Sequence, residues 1–198
     1  MKKSKGFTLI EIVVVLAIIA TIAAFITPML LDYLKEAKLN KAKADVQAIA
    51  ASIANFNRDT GVFPIYIADV KKSEIGILVL KSEGNEAAIK AAIEGWNEAT
   101  QIDNLEDPLS KELMRNGTAT YTSKLGSGHA WKGPYLSSFK SDPWGNKYYV
   151  ACDGMDPDKT TKAVFVISAG PNGELETNTT QDTNAFTVGG DDIVYRIK

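Results

Sequence analysis

The chain begins MKKSKGFTLIEIVVVLAIIATIAAFITPMLL (residues 1–31), in which lysines precede a long apolar run that carries a single charge, Glu11. The uncharged residues 12–31, as a helix, are long enough to cross a bilayer core of about 30 Å. A carboxylate near the start of such a segment is costly to bury without a partner. Glu11 is therefore expected to have a partner and a specific role.

The apolar run does not have the form of a secretory signal peptide. Such a signal has an apolar core of roughly 7–15 residues and then a cleavage site with small residues, whereas the charged segment Asp32–Lys35 follows this run directly. The lysines at positions 2, 3 and 5 place the extreme N-terminus in the cytoplasm. Composition alone thus predicts an uncleaved N-terminal anchor that carries an extracytoplasmic domain.

The string KGFTLIE (residues 5–11), followed by an unbroken apolar helix, resembles the leader of type IV pilins and of the pseudopilins of type II secretion systems. The resemblance implies that a prepilin peptidase cleaves after Gly6, which removes residues 1–6, and that the new N-terminal residue, Phe7, is N-methylated. It also matches Pro28 to a proline that recurs in the helix of this family. The residues implied in assembly are Phe7, Glu11 and Pro28.

Cleavage after Gly6 would create an ammonium group on Phe7, one helical turn from Glu11. An ammonium and a carboxylate in apolar surroundings stabilise each other, whereas either charge alone is penalised. If copies of the chain stack with an axial stagger, Glu11 of one copy neutralises the Phe7 amine of its neighbour and sets the register. A pair within one chain and a protonated carboxyl are the two alternatives.

Beyond the apolar run, apolar residues recur at spacings of three and four, as on one face of a helix. They are Leu39, Ala42, Val46, Ile49, Ile53 and Phe56. The pattern predicts one helix over residues 7–57, with a transmembrane segment or filament core over 7–31 and an amphipathic second half. Because proline lacks a backbone donor, we expect a kink or a locally melted segment near Ala24–Pro28.

Residues 58–132 form a variable insert between this helix and the C-terminal region. Within it, composition predicts a helix from Asn85 to about Thr100, capped by Asn85. A second, short helix is predicted from Asp107 to about Met114. The Gly-, Ser- and Thr-rich residues from Asn116 to His129 predict a loop.

Residues 133–198 are predicted to form a small antiparallel sheet. Three runs rich in Val, Ile, Tyr and Phe predict strands over 147–151, 163–168 and 193–197. Asp142–Gly145 predicts a turn that precedes the first strand and buries Trp144. A sheet packed on the long helix is an α+β, pilin-like arrangement.

Three motifs in the C-terminal third, GPYL (133–136), DPWGNKY (142–148) and SAGPNG (168–173), resemble in their order the C-terminal region of major pseudopilins. The resemblance implies a loop that binds calcium, a cation that prefers oxygen ligands. The matching positions are the side chains of Asn172, Asp191 and Asp192 and backbone carbonyls near Ala169 and Glu174. Glu174, Glu176 and Asp182 are alternative side-chain ligands, and an ordinary solvated loop is the alternative to a metal site.

Charge and cysteine content narrow the classes of function. The formal net charge is −2, and loss of the three leader lysines makes it −5, with 19 basic and 24 acidic residues. This balance argues against nucleic acid as a primary partner. Cys152 is the only cysteine, so no intrachain disulfide is possible. The resemblance implies a C-terminal disulfide in many major pilins but not in major pseudopilins, so the single cysteine favours a pseudopilin. We expect Cys152 to be buried rather than reactive.

No catalytic constellation is evident in the sequence. His129, the only histidine, has no second His or Cys at metal-binding spacing, and we assign Trp96, Trp131 and Trp144 to packing. We therefore expect a non-enzymatic subunit of a type II pseudopilus in the inner membrane, with its C-terminal domain in the periplasm or outside the cell. Its expected partners are copies of itself, prepilin peptidase, the inner-membrane assembly platform and minor pseudopilins.

Two alternatives remain at this point. One is a type IV pilin of a surface pilus that serves adhesion, motility or DNA uptake. The other is a monomeric, membrane-anchored binding domain that uses residues 65–130 as its binding surface.

Overall fold

The computed structural model describes residues 6–61, 63, 78–90, 100–101, 130–137, 140–155 and 159–198. The chain divides into two compact units, Met1–Leu39 and Asn40–Lys198. The helix predicted over 107–114 and the loop predicted over 116–129 lie outside the described residues, as do Trp96 and His129.

Helix α1, Leu9–Thr60, confirms the single long helix expected over 7–57. It ends at Gly61, which has a φ of 75° and donates its amide hydrogen to the Asn57 carbonyl at 2.8 Å. This left-handed glycine is a common helix C-cap because it has no Cβ. Of the kink or locally melted segment expected near Ala24–Pro28, the melted segment was wrong, because α1 continues through Pro28, and the kink stays a prediction. A proline removes only one backbone donor, and the flanking turns keep their helical bonds.

The second half of α1 is amphipathic, as its spacing predicts. Within the Asn40–Lys198 unit, Val46, Ile53 and Phe56 are at most 1% exposed. Polar contacts fix the same stretch of helix to the domain, because the Tyr148 hydroxyl donates to Asp45 at 2.8 Å and the Ser52 hydroxyl donates to a backbone carbonyl at 2.9 Å. This face of the helix therefore packs against the sheet, with Asp45 bonded to Tyr148.

Among the described residues, the main sheet has five strands. They are β1 (Leu78–Lys81), β3 (Thr100–Gln101), β4 (Tyr148–Ala151), β5 (Phe165–Ser168) and β7 (Ile193–Arg196), in the order β3-β1-β4-β5-β7. Strands β4, β5 and β7 are the three strands expected from the sequence, and they pair antiparallel. Strand β1 adds a further antiparallel neighbour to β4, while β3 pairs with β1 in parallel.

A second sheet joins β2 (Ala88–Ile89) in parallel with β6 (Glu174–Leu175). The helix expected from Asn85 to Thr100 was therefore wrong over residues 85–90, and residues 91–99 lie outside the described range. Asn85, expected as a helix cap, instead donates its amide hydrogen to the Gly145 carbonyl at 2.9 Å and accepts from the Lys147 amide at 2.9 Å. Long-range backbone pairing outweighs the modest helix propensity of this segment.

The Asp142–Gly145 turn forms as expected, with the Gly145 amide donating to the Asp142 carbonyl at 3.0 Å. Trp144, however, is only half-buried, and Asp142 is the buried residue of the turn, at 4% exposed. The Asp142 carboxylate accepts hydrogen bonds from the amides of Trp144 and Asn146 and from the Ser168 hydroxyl, at 2.8–3.0 Å. Cys152 is buried at 1% exposed, as expected.

Candidate assembly helix and candidate cation loop

The N-terminus of α1 is closed by a reciprocal pair of side chains. One oxygen of the Glu11 carboxylate, Oε2, accepts hydrogen bonds from the Thr8 amide at 2.8 Å and from the Thr8 hydroxyl at 2.7 Å. The Thr8 hydroxyl in turn accepts from the Glu11 amide at 3.3 Å. This is a capping box, which satisfies amide groups that have no partner within the helix. The capping box was not predicted from the sequence, although the spacing of Thr8 and Glu11 is its signature.

The capping box leaves half of the Glu11 carboxylate available. In the part of the chain that the structure describes, Oε1 of Glu11 accepts no hydrogen bond. A second partner, such as an ammonium group, can therefore bind Glu11 without displacing Thr8.

The first part of α1 exposes apolar side chains on every side. Each large apolar residue from Phe7 to Leu31 is more than half exposed, with Phe7 at 84%. By length and composition α1 can cross a membrane. An apolar surface of this extent has to be covered by lipid or by another protein surface. Gly6 and Phe7 precede α1 in exposed, non-helical backbone, so the bond between them is accessible.

The structure brings the predicted loop ligands Asn172, Asp191 and Asp192 together. The Asn172 backbone amide donates to Oδ2 of Asp191 at 3.1 Å, and the Glu176 backbone amide donates to Oδ2 of Asp192 at 2.9 Å. The Asn172 side chain also accepts from the Glu174 amide at 2.7 Å. These bonds tie the start of the loop to its end, 19 residues later in the chain.

Two carboxylate oxygens in this loop have no hydrogen-bond donor. Oδ1 of Asp191 and Oδ1 of Asp192 are buried and accept no hydrogen bond from the described residues. Asp192 is only 8% exposed, and its burial raises the pKa of its carboxyl above the ordinary value. Buried anionic oxygens without donors are costly, and a cation would supply the missing partner.

The donor set fits a cation that accepts mixed oxygen ligands. Within the described ranges, no three His, Cys, Asp or Glu side chains converge as a metal site. A cation here would therefore need amide and backbone carbonyl oxygens besides the carboxylates, a mixture that calcium accepts. Ala169 and Glu174 flank the turn that carries Asn172. Asp182, an alternative ligand, instead pairs with Lys162 at 2.9 Å.

Lys90 and Gly190 also shape the loop, and neither was singled out from the sequence. Lys90 forms an ion pair with Oε1 of Glu176 at 2.5 Å, while the side-chain amide of Asn172 donates to Oε2 of Glu176 at 3.2 Å. Gly190 has a φ of 49°, and a Cβ there would lie 1.3 Å from Oε2 of Glu176. The Gly189-Gly190 pair before Asp191 was the available signal for Gly190.

Comparison with known proteins bears on both regions. The model of the prokaryotic N-terminal methylation motif matches residues 1–27, and the model of type II secretion system protein G matches residues 81–185, more than half of the chain. The chain belongs to the type II secretion system protein G family. The match includes Asn172 but ends before Asp191, so the calcium ligands remain a prediction.

Relatives of this family cover most of the chain. The type II secretion system core protein G of Dickeya chrysanthemi is 30% identical over 89% of this chain and 84% of its own length. The core protein G of Pseudomonas aeruginosa is 27% identical over 87% of both chains. The fimbrial protein EcpC of Eikenella corrodens is 27% identical over 58% of this chain and 75% of its own. No solved structure matches.

Proposed function

We propose that this chain is a pseudopilin, the structural subunit that polymerises through the first part of α1 into the periplasmic filament of a type II secretion system. The observation that carries the proposal is the exposed apolar surface over Phe7–Leu31 in a member of the protein G family. Such a surface suits a subunit that first spans the inner membrane and then packs against its own copies. The proposed role is structural rather than catalytic.

Processing prepares the subunit for assembly. The leader lysines hold residues 1–6 in the cytoplasm, and the domain after α1 lies in the periplasm. Prepilin peptidase cleaves the accessible bond between Gly6 and Phe7. The product has an ammonium group on Phe7, which is then methylated.

Assembly combines packing with charge pairing. Lipid tails are as apolar as the helix, so helix association in a membrane depends on close packing and polar contacts. Glu11 of one subunit pairs through its available oxygen with the Phe7 amine of the next subunit, which fixes the axial register. The assembly platform and minor pseudopilins are the proposed partners in this step.

We also propose that calcium binds the C-terminal loop. Asn172, Asp191 and Asp192 would hold it, together with the carbonyls of Ala169 and Glu174. When bound, calcium supplies positive charge to the two buried carboxylate oxygens that have no donors. The loop would then be more rigid and the Asn40–Lys198 unit more stable.

A surface pilus is the second candidate function. The similarity to fimbrial protein EcpC favours it, but this similarity covers 58% of the chain, compared with 87% for the core protein G of P. aeruginosa. The protein G family is therefore the better guide to function. A monomeric binding domain would leave the apolar surface of α1 in lipid throughout.

Expression of the full chain with a prepilin peptidase and a type II assembly platform tests the proposal. We expect mass spectrometry to show loss of residues 1–6 and a methylated Phe7, and electron microscopy of sheared material to show filaments. Gly6→Val is the control, which should remain unprocessed and unassembled. A processed chain that stays monomeric, while a known pseudopilin assembles in the same cells, would contradict the proposal.

A further inference from the structure

Strand β2 places Lys90 beside the C-terminal loop. The Ala88 amide donates to the Gly173 carbonyl at 2.9 Å, and the Lys90 amide donates to the Leu175 carbonyl at 3.3 Å. These backbone bonds position Lys90 next to β6, independently of its side chain.

The Lys90 ammonium is connected to two of the predicted calcium ligands through one residue. Its partner, Glu176, is only 12% exposed in its side chain, whereas that of Lys90 is 55% exposed. Glu176 also accepts from the Asn172 side chain at 3.2 Å and donates its amide hydrogen to Asp192 at 2.9 Å. The position of Glu176 is therefore coupled both to the Lys90 charge and to the loop closure.

The charges of the loop also distinguish Lys90 from the other basic residues that the structure describes. The loop carries four carboxylates besides Asp182, those of Glu174, Glu176, Asp191 and Asp192. Over the described ranges, Lys90 is the only basic side chain in an ion pair with any of the four. Glu176 and Glu174 both raise the pKa of Lys90, so the ammonium stays charged throughout the neutral range.

We propose that Lys90 is a fixed internal cation of the Asn172–Asp192 loop, which holds the loop closed without a divalent cation and weakens the binding of calcium. This inference rests on the proposed calcium site. Calcium affinity depends on the number of charges that the ligands present, and Lys90 offsets one of them. The ion pair also holds the carboxylate of Glu176, an alternative calcium ligand, against the Lys90 ammonium.

The test compares calcium binding in three forms of the full mature chain in detergent. These are the wild type, Lys90→Gln and, as a matched control, Lys147→Gln. Lys147 forms an ion pair of the same length, 2.5 Å, with Glu86, which is not one of the predicted calcium ligands. Calcium affinity is measured by titration calorimetry, and thermal melting is followed with chelator and with calcium.

We expect Lys90→Gln to bind calcium about 3- to 5-fold more tightly than the wild type, a modest effect because the Lys90 ammonium is partly screened by solvent. With chelator it should melt at a lower temperature than Lys147→Gln, and calcium should remove that difference. A fourth form, Lys90→Arg, is added to these three; because it keeps the charge, it should bind calcium like the wild type. If Lys90→Gln does not fold without calcium, recovery of its folded structure on adding calcium supports the same conclusion.

Two outcomes would overturn the inference in distinguishable ways. Equal calcium affinity in the wild type, Lys90→Gln and Lys147→Gln would remove Lys90 from the account and leave the calcium site in place. No calcium binding to any of the three would reject the calcium site itself, and this inference with it.

Discussion

Thr8 and Glu11 share a capping box at the start of α1, in which one carboxylate oxygen of Glu11 accepts from both the amide and the hydroxyl of Thr8 at 2.8 and 2.7 Å. Glu11 therefore has a local role in addition to the proposed pairing between subunits. The two roles can be separated by mutation, because glutamine also closes a capping box but carries no charge.

We expect Glu11→Gln to prevent filament assembly while α1 stays capped, because the neutral amide cannot neutralise the Phe7 amine of a neighbouring subunit. Thr8→Val, which removes the capping hydroxyl but keeps the charge of Glu11, should still assemble. The yield of sheared filaments measures both. The melting temperature of the Asn40–Lys198 unit should be unchanged in either variant. Normal filaments from Glu11→Gln would show that the charge is not needed.

Chelation should lower the melting temperature of the full chain in detergent, because removal of calcium leaves Asp191 and Asp192 with buried oxygens that have no donors. Asp191→Ala should abolish the difference between calcium and chelator. Thermal melting followed by tryptophan fluorescence checks this. An identical wild-type melting curve with and without chelator would remove calcium from the account.

The pH dependence of the calcium-free protein follows from Asp192. Burial raises the pKa of its carboxyl, so the folded chain holds this proton at a higher pH than the unfolded chain does. The contribution of Asp192 to stability is therefore greatest at low pH and falls as pH rises from the ordinary carboxyl range through the raised pKa. Urea unfolding with chelator at pH 4–7 should show this fall in the wild type but not in Asp192→Asn. Parallel pH profiles of the free energy of unfolding in the wild type and Asp192→Asn would show that Asp192 does not cause this pH dependence.

Gly190→Ala should destabilise the loop more than Gly173→Ala does. Both glycines have positive φ, at 49° and 72°, and an alanine in this region costs about 1–2 kcal/mol. At Gly173 the new Cβ would lie 3.3 Å from the Asn146 side chain, but at Gly190 it would displace the Glu176 carboxylate. Denaturant unfolding measures the difference. Equal losses would mean that Glu176 moves aside without cost.

Asp142→Ala should lower the free energy of unfolding by about 3 kcal/mol, because it leaves two partly buried amides of the turn and the buried Ser168 hydroxyl without this acceptor. Ser168→Ala, which removes one of these donors, should cost about 1 kcal/mol. Chemical denaturation of both variants checks the ratio. A loss of less than 1 kcal/mol in Asp142→Ala would mean that water replaces the carboxylate.

The sequence predicted the elements whose signal is local. The apolar spacing along α1 and the Val-, Ile- and Tyr-rich runs of β4, β5 and β7 each lie within one segment. The segment from Asn85 to Lys90 was predicted wrongly because its conformation depends on backbone partners at Gly145 and Gly173, far along the chain. Local composition contains no information about these partners.

In the candidate cation loop, too, some residues could be named from the sequence and others only from the structure. The resemblance to major pseudopilins implied Asn172, Asp191 and Asp192 as ligands. In the structure the Asn172 backbone amide bonds to Asp191, and Asp192, the next residue, accepts from the Glu176 amide. Lys90 joins them from 86 residues before Glu176, and only the pairing of β2 with β6 places it there. A lysine in a segment of helical composition has no feature that indicates such a role.

A filament reconstruction by electron cryo-microscopy is the decisive test of pairing between subunits. We expect helices of residues 7–31 to form the filament core and the Glu11 carboxylate of one subunit to lie within about 4 Å of the Phe7 amine of its neighbour. A filament whose core excludes these helices, or one in which Glu11 faces no neighbouring amine, would contradict it.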